Sequence, residues 1–68
     1  MSEHIYYVYV KKQVPDVAPH MRAWCYDQCE GMFTHHYVSW QLEGWYFTNE
    51  SDAVNFTLTW SDMVDQDP

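Results

Sequence analysis

The fold is decided first by residues 4–12, which read HIYYVYVKK. β-Branched and aromatic residues fill this stretch, and the turn-forming run Gln13-Val14-Pro15-Asp16 follows it. The composition predicts a β-strand from His4 to Lys12. Side chains alternate between the two faces of a strand, with Ile5, Tyr7 and Tyr9 on one face and Tyr6, Val8 and Val10 on the other. Because both faces are apolar, we expect one to join the core and the other to be covered by something else.

The next segment changes from strand spacing to helical spacing. The residues of one helix side, most of them apolar, recur every three or four positions, at Val17, Met21, Trp24, Cys25, Gln28 and Cys29. Asp16 is suited to cap the start of a helix, Pro19 is tolerated in the first turn, and Gly31 stands where a helix C′ residue belongs. We therefore predict a helix over about residues 17–30.

Two aromatic runs follow, FTHHYVSWQL at residues 33–42 and WYFT at residues 45–48. They surround Glu43-Gly44, which predicts a β-hairpin with its turn there. The first run divides into two faces, and we expect the core face to be the one that carries Thr34, His36, Val38, Trp40 and Leu42.

A second helix is predicted to begin after Asn49, an N-cap residue followed by Glu50 and Asp52 in the first turn. Its apolar residues at helical spacing are Ala53, Phe56, Trp60, Met63 and Val64. Residues 56–60 alone alternate like a strand, but the cap and the longer period favour a helix. Residues 65–68 are expected to fray.

The element order β-α-β-β-α predicts one small α+β domain over residues 1–68. It is a truncated form of the ferredoxin-like arrangement, which lacks the fourth strand. Right-handed connection places the third strand between the first and second, with both helices on one face of a three-stranded antiparallel sheet. The other face is then open, and we expect it to bind a partner through Tyr7, Tyr9, His35, Tyr37 and Tyr46.

The charge of the chain restricts its partners. The net charge is −7, and Lys11, Lys12 and Arg22 are its only cations, so eight carboxylates follow Arg22 without a counter-charge. Such a chain lacks the Lys and Arg residues that bind nucleic-acid backbones and anionic membranes. We therefore expect the chain to bind neither nucleic acid nor an anionic membrane. We also expect an acidic surface, formed by Glu43, Asp62, Asp65 and Asp67. The longest apolar stretch is too short for a membrane span and no signal peptide precedes it, which favours a cytoplasmic protein.

The thirteen aromatic residues exceed what one small core can bury. An uncovered aromatic sheet face is explained most simply by a second copy of the chain, which predicts a homodimer. Two other interpretations stay open. The tyrosines could pack on one another with their hydroxyls in water, or they could stack bases as in RNA-recognition modules, although the charge argues against the latter.

Metal, thiol and enzymatic sites are weakly indicated. His20, His35, His36, Cys25 and Cys29 are zinc-ligand types, but adjacent His35 and His36 on a strand point to opposite faces. Cys25 and Cys29 are expected to be reduced, although a disulfide is not excluded by distance. The chain has no phosphate-binding loop or oxyanion-hole motif. We expect no enzyme activity, no cofactor and no metal, with a small metal- or thiol-dependent protein as an alternative.

Residues 45–60 (WYFTNESDAVNFTLTW) carry an aromatic strand, an acidic cap, and then Asp52-Ala53, Phe56, Leu58 and Trp60. This stretch resembles the ending of short uncharacterised proteins encoded by tailed bacteriophages. Those proteins often place basic residues where this chain has Thr57 and Thr59. The resemblance implies a phage accessory protein that acts in the host cytoplasm, with no catalytic residues.

Taken together, the sequence predicts a small acidic interaction protein without enzyme activity. We expect a phage-encoded modulator or inhibitor of a host or phage protein, acting as a homodimer. The alternative is a nucleic-acid mimic that occupies a basic groove of a host polymerase, nuclease or defence complex.

Overall fold

The computed structural model describes residues 4–12 and 16–65, which form five elements in the order β-α-β-β-α. These are β1 (Tyr6–Lys11), α1 (Ala18–Gln28), β2 (Phe33–Tyr37), β3 (Leu42–Phe47) and α2 (Glu50–Thr59). The sheet is antiparallel with strand order β1-β3-β2. The predicted truncated ferredoxin-like α+β fold is therefore confirmed, including the central position of the third strand.

The core lies between the sheet and the two helices. Alternate residues of β1 and β3 face it, and each helix contributes the apolar residues of one side. Its fully buried large side chains are Val10, Met21, Cys25, Trp45, Phe47 and Phe56. Phe56 is at the centre, with its ring centroid 5.3 Å from that of Trp45 and 5.1 Å from that of Phe47. Both helices thus cover the same face of the sheet.

The hairpin turn does not lie at Glu43-Gly44, so that prediction was wrong. β2 ends at Tyr37, residues 38–41 form the connection, and Glu43 and Gly44 lie inside β3. Ser39 closes the turn, because its backbone exchanges hydrogen bonds with Leu42 and its hydroxyl oxygen accepts from the Leu42 amide at 3.2 Å. Gly44 packs closely inside the strand instead: a Cβ there would lie 3.1 Å from Cγ2 of Val38, which would then have to shift.

This change of turn also reverses the predicted faces of residues 33–42. Phe33 lies opposite Phe47 and His35 lies opposite Trp45, so Phe33 and His35 face the helices. The residues predicted for the core do not lie there, and Trp40, for example, is 73% exposed. The cause is that both alternations of this segment contain apolar residues, so the register set by the turn decides which one is buried.

The helix starts agree with the sequence better than the helix ends. The Asn49 side chain accepts a hydrogen bond from the Asp52 amide at 3.3 Å, and the Asp16 carboxylate accepts from the Ala18 amide at 3.0 Å. α1 stops at Gln28, two residues before the predicted end. Gly31 does not cap it; a Cβ on Gly31 would lie 2.9 Å from Oγ1 of Thr48, so this glycine allows two chain segments to approach.

α2 ends at Thr59, and the chain then turns back along β1. Val64 bridges Val10 in antiparallel orientation, the Lys11 amide donates to the Met63 carbonyl at 2.8 Å, and the Asp65 amide donates to the Tyr9 carbonyl at 2.7 Å. Asp65 is therefore held, contrary to the prediction that it frays, and residues 66–68 lie outside the described residues. Within the described chain, no helix is long and apolar enough to cross a membrane.

Candidate protein-interaction surface

The side of the sheet away from the helices carries an aromatic surface, which we call the open face. It is formed by the side chains of Tyr7, Tyr9, Thr34, His36 and Tyr46. Tyr7 is 56% exposed and Tyr9 is 41% exposed. The open face exists because β1 and β3 place apolar residues at both alternations, and the two helices cover only one of them.

Ring contacts on the open face run across all three strands. The Tyr7 and Tyr46 rings meet edge to face with their centroids 4.5 Å apart, and the His36 ring stacks on Tyr46 at 4.6 Å. Tyr46, on the central strand, therefore joins the other two rings in one row. Such pairs fix the orientation of rings that would otherwise be free to rotate in solvent.

Two of the five residues predicted for this surface lie elsewhere. Tyr7, Tyr9 and Tyr46 are on the open face as predicted, whereas His35 and Tyr37 point to the helix side of the sheet. Tyr37 lies at the end of β2 opposite Glu43 and is 74% exposed. His36 and Thr34 also lie on the open face, where the sequence pattern did not predict them. A turn placed at residues 38–41 instead of 43–44 would have found both, because it fixes the register of β2 against β3.

His35 belongs to a polar network at the edge of the core. Its ring stacks on Trp45 with the centroids 4.3 Å apart, its Nδ1 lies 3.1 Å from Nη2 of Arg22, and its Nε2 lies 2.8 Å from Oε1 of Glu43. A guanidinium can only donate, so Nδ1 accepts from Arg22 and Nε2 carries the proton that is donated to Glu43. His35 and Arg22 thus have structural partners and do not form part of the open face.

The predicted acidic surface is also smaller than expected. Glu43 is buried and accepts the hydrogen bond from His35, so its assignment to the acidic surface was wrong. The reason is that Glu43 lies inside β3 on the helix side instead of in an exposed turn. Asp62 is exposed, Asp65 is half-buried, and Asp67 lies outside the described residues.

Asp52 is a second buried carboxylate, and its role is local. It accepts hydrogen bonds from the Glu30 amide at 3.1 Å and from the Gly31 amide at 2.8 Å. These contacts join the segment after α1 to the first turn of α2. Glu43 and Asp52 together show that two of the eight carboxylates after Arg22 serve the fold.

The thiols are arranged as core residues. Cys25 is buried, Cys29 is half-buried, and both are free. Burial raises the pKa of both thiols, and the nearby Asp52 carboxylate raises each of them further. Protonated thiols are poor nucleophiles and poor metal ligands. Over residues 4–12 and 16–65, no three His, Cys, Asp or Glu side chains are grouped so that they could hold a metal ion.

Comparison with known protein families, with curated proteins and with solved structures gave no match. The function is therefore inferred from the surfaces of the molecule itself.

Proposed function

We propose that this chain is a small protein-binding protein without enzyme activity, and that two copies associate through their open faces. The observation that supports this proposal is the aromatic row of Tyr7, Tyr46 and His36, which the two helices leave uncovered. Exposed aromatic surface of this kind is typical of interfaces, in which tyrosine supplies large contact area with little loss of side-chain entropy.

The distribution of charge favours a second copy on this face. The chain has a net charge of −7, yet the described residues of β1, β2 and β3 that point to the open face include no carboxylate and one lysine, Lys11. Asp65 lies at the rim of the face, in a shallow pocket that it shares with Lys11 and Leu42, so the centre of two facing sheets is free of strand carboxylates. Face-to-face packing of two sheets at about 10 Å would bury the tyrosine rings of both copies.

The same features argue against a nucleic acid as the ligand. Base-stacking surfaces need cations around the rings to hold the phosphate backbone, and here Lys11 alone lies on the face, while Arg22 contacts His35 on the other side. The nucleic-acid mimic is also less favoured, since Glu43 and Asp52 are buried. In line with the phage resemblance, we propose that the dimer binds and modulates a host or phage protein.

Sedimentation equilibrium over the micromolar range tests the dimer. We expect the unmodified chain to be dimeric, and Tyr9→Glu to be monomeric because it places a charge on the open face of each copy. Ala23→Glu adds the same charge on the exposed side of α1 and should stay dimeric. Circular dichroism would establish that both variants are folded. A monomeric unmodified chain, or a dimeric Tyr9→Glu, would overturn the open-face dimer.

A further inference from the structure

The outer edge of β1 has hydrogen-bonding groups that residues 4–12 and 16–65 leave unused. β1 is an edge strand, and its backbone groups point alternately to β3 and outward. The bonds from the Asp65 amide to the Tyr9 carbonyl and from the Lys11 amide to the Met63 carbonyl show that the odd-numbered residues point outward. The Tyr7 amide and carbonyl share this direction, whereas Tyr9 lies opposite Asp65. Within residues 4–12 and 16–65, the two backbone groups of Tyr7 have no hydrogen-bond partner.

An apolar groove of about 450 Å³ lies beside this edge, between β1 and α2. Its lining includes Ile5, Tyr6 and Val8 from the strand side and Glu50, Val54 and Leu58 from the helix. Val54 and Leu58 are exposed apolar residues one turn apart, and Leu58 is 70% exposed. Among the described residues that line it, Glu50, at the start of α2, is the only charged one.

We infer that the outer edge of β1 and this groove bind an extended segment of a different protein, which adds to the sheet as a fourth strand antiparallel to β1. The segment has apolar side chains at alternate positions, which enter the groove, and a lysine or arginine that lies near Glu50. This mode of recognition combines backbone hydrogen bonds, which supply affinity, with pockets for alternate side chains, which supply specificity.

The chain itself shows that this edge accepts an antiparallel strand. Val64 already pairs with Val10 on the outer edge of β1, and the hydrogen bonds of Met63 and Asp65 fix the direction of the pairing. The described part of this pairing stops beside Tyr9. Because Asp65 lies opposite Tyr9, a bound segment would pair with β1 beyond that point, along Tyr7, in the same direction. Its remaining side chains would extend the open face beside Tyr7.

A second copy of this chain fits the edge less well than a basic segment does. Because residues 63–65 cover the Tyr9–Lys11 end, two β1 strands could pair only through residues 4–8, with the two-fold axis near Tyr6. Tyr6 and Glu50 line the same groove, so this axis would bring two Glu50 carboxylates towards each other. A segment with a cation pairs with Glu50 instead and is attracted by the net charge of −7.

The binding test uses three synthetic peptides with blocked ends. The probe is KVTVTVK, KTTTTTK keeps its charge without the alternating apolar residues, and EVTVTVE reverses its charge. Calorimetric titration should show binding of KVTVTVK, weaker binding of EVTVTVE and none of KTTTTTK. Amide hydrogen exchange should slow at Tyr7 when KVTVTVK binds. Absence of KVTVTVK binding, or binding without protection of the Tyr7 amide, would overturn the inference.

Matched variants separate the edge from the tyrosine ring and from the dimer. Tyr7→Pro removes the outward amide and should weaken KVTVTVK binding about tenfold or more, whereas Tyr7→Ala keeps the amide and should retain binding. Leu58→Glu, in the groove, should also abolish binding, and Asn55→Glu, exposed on the same helix, should not. If Tyr7→Pro does not fold, the Leu58→Glu and Asn55→Glu pair still decides the inference.

The outcome for the edge is independent of the open-face dimer. If the chain is monomeric and still binds KVTVTVK, the open-face dimer is overturned, whereas the binding site at the edge of β1 is supported. A dimer that is lost in Tyr7→Pro and Leu58→Glu, but not in Tyr9→Glu, would show that a second copy occupies the edge, and would overturn the inference of a different protein.

Discussion

Among single residues, Asp52 joins two separate parts of the chain. It is 2% exposed and accepts hydrogen bonds from the Glu30 and Gly31 amides, while its own amide donates to Asn49. One carboxylate thereby pairs backbone groups of the connection after α1 and lies in the first turn of α2, where negative charge is favoured by the helix dipole.

Asp52→Ala should lower the free energy of unfolding by about 2 to 4 kcal/mol, because it leaves two backbone donors without an acceptor. Urea unfolding followed by tryptophan fluorescence measures this change. Glu50→Ala is the control, since Glu50 is exposed in the same helical turn, and it should cost less than about 1 kcal/mol. Equal effects of the two substitutions would mean that the buried contacts of Asp52 add nothing.

Cys25 makes the free energy of unfolding depend on pH in the alkaline range. Burial, then Cys29 and Asp52, raise its pKa above the ordinary value of 9.0, so the folded state holds the thiol proton more tightly than the unfolded state does. This contribution is complete below pH 9.0 and is lost as the pH rises towards the pKa of the folded state.

We therefore expect the free energy of unfolding to fall above this pH by up to about 1.4 kcal/mol per pH unit for this thiol. Urea unfolding under reducing conditions, at a series of alkaline pH values, measures the slope. Cys25→Ala keeps the tyrosines and should show a smaller slope than the unmodified chain. An identical slope in the two proteins would assign the effect to other groups.

At the scale of the elements, α2 anchors the core through Phe56. Its ring is fully buried against Trp24, Trp45, Phe47 and Trp60. Phe56→Ala should cost about 3 to 5 kcal/mol in the free energy of unfolding, through lost burial and the cavity left behind. Thermal and urea unfolding measure it, with the exposed Leu58→Ala as a control of little effect. A stable, cooperative Phe56→Ala would show that Phe56 is not at the centre of the core.

The elements also show what the sequence could and could not predict. Strand and helix spacing and the Asn49 cap predicted all five elements in order, because these signals are local. The turn was misplaced since a glycine in a turn and a glycine in a strand look alike in the sequence. The pairing of Gly44 with Tyr9 on one side and His36 on the other, which is tertiary information, distinguishes them. That one error moved His35 and Tyr37 to the wrong face and Glu43 to the wrong environment.

At the scale of the whole molecule, the two candidate surfaces differ in how far the sequence alone could predict them. Tyr7, Tyr9 and Tyr46 could be placed on the open face because strand alternation and strand order suffice for them. The groove beside β1 could not be predicted, since it depends on where α2 crosses the strand and on the return of residues 63–65 to its edge. The two surfaces meet at β1, so in the proposed assemblies one strand would serve the dimer with its side chains and the bound segment with its backbone.

The strand order has a consequence for the ribosome-bound chain. β1 is synthesised first, but its partner in the sheet is β3, and Tyr6 pairs with Phe47. During translation the apolar stretch of β1 therefore stays unpaired until the whole hairpin has emerged. Strands of this kind aggregate most readily while they are unpaired. Lys11 and Lys12 follow the stretch directly, and lysines flanking a hydrophobic strand act as gatekeepers against such association. Two of the three cations in an acidic protein thus stand where the nascent chain is most exposed to misassembly.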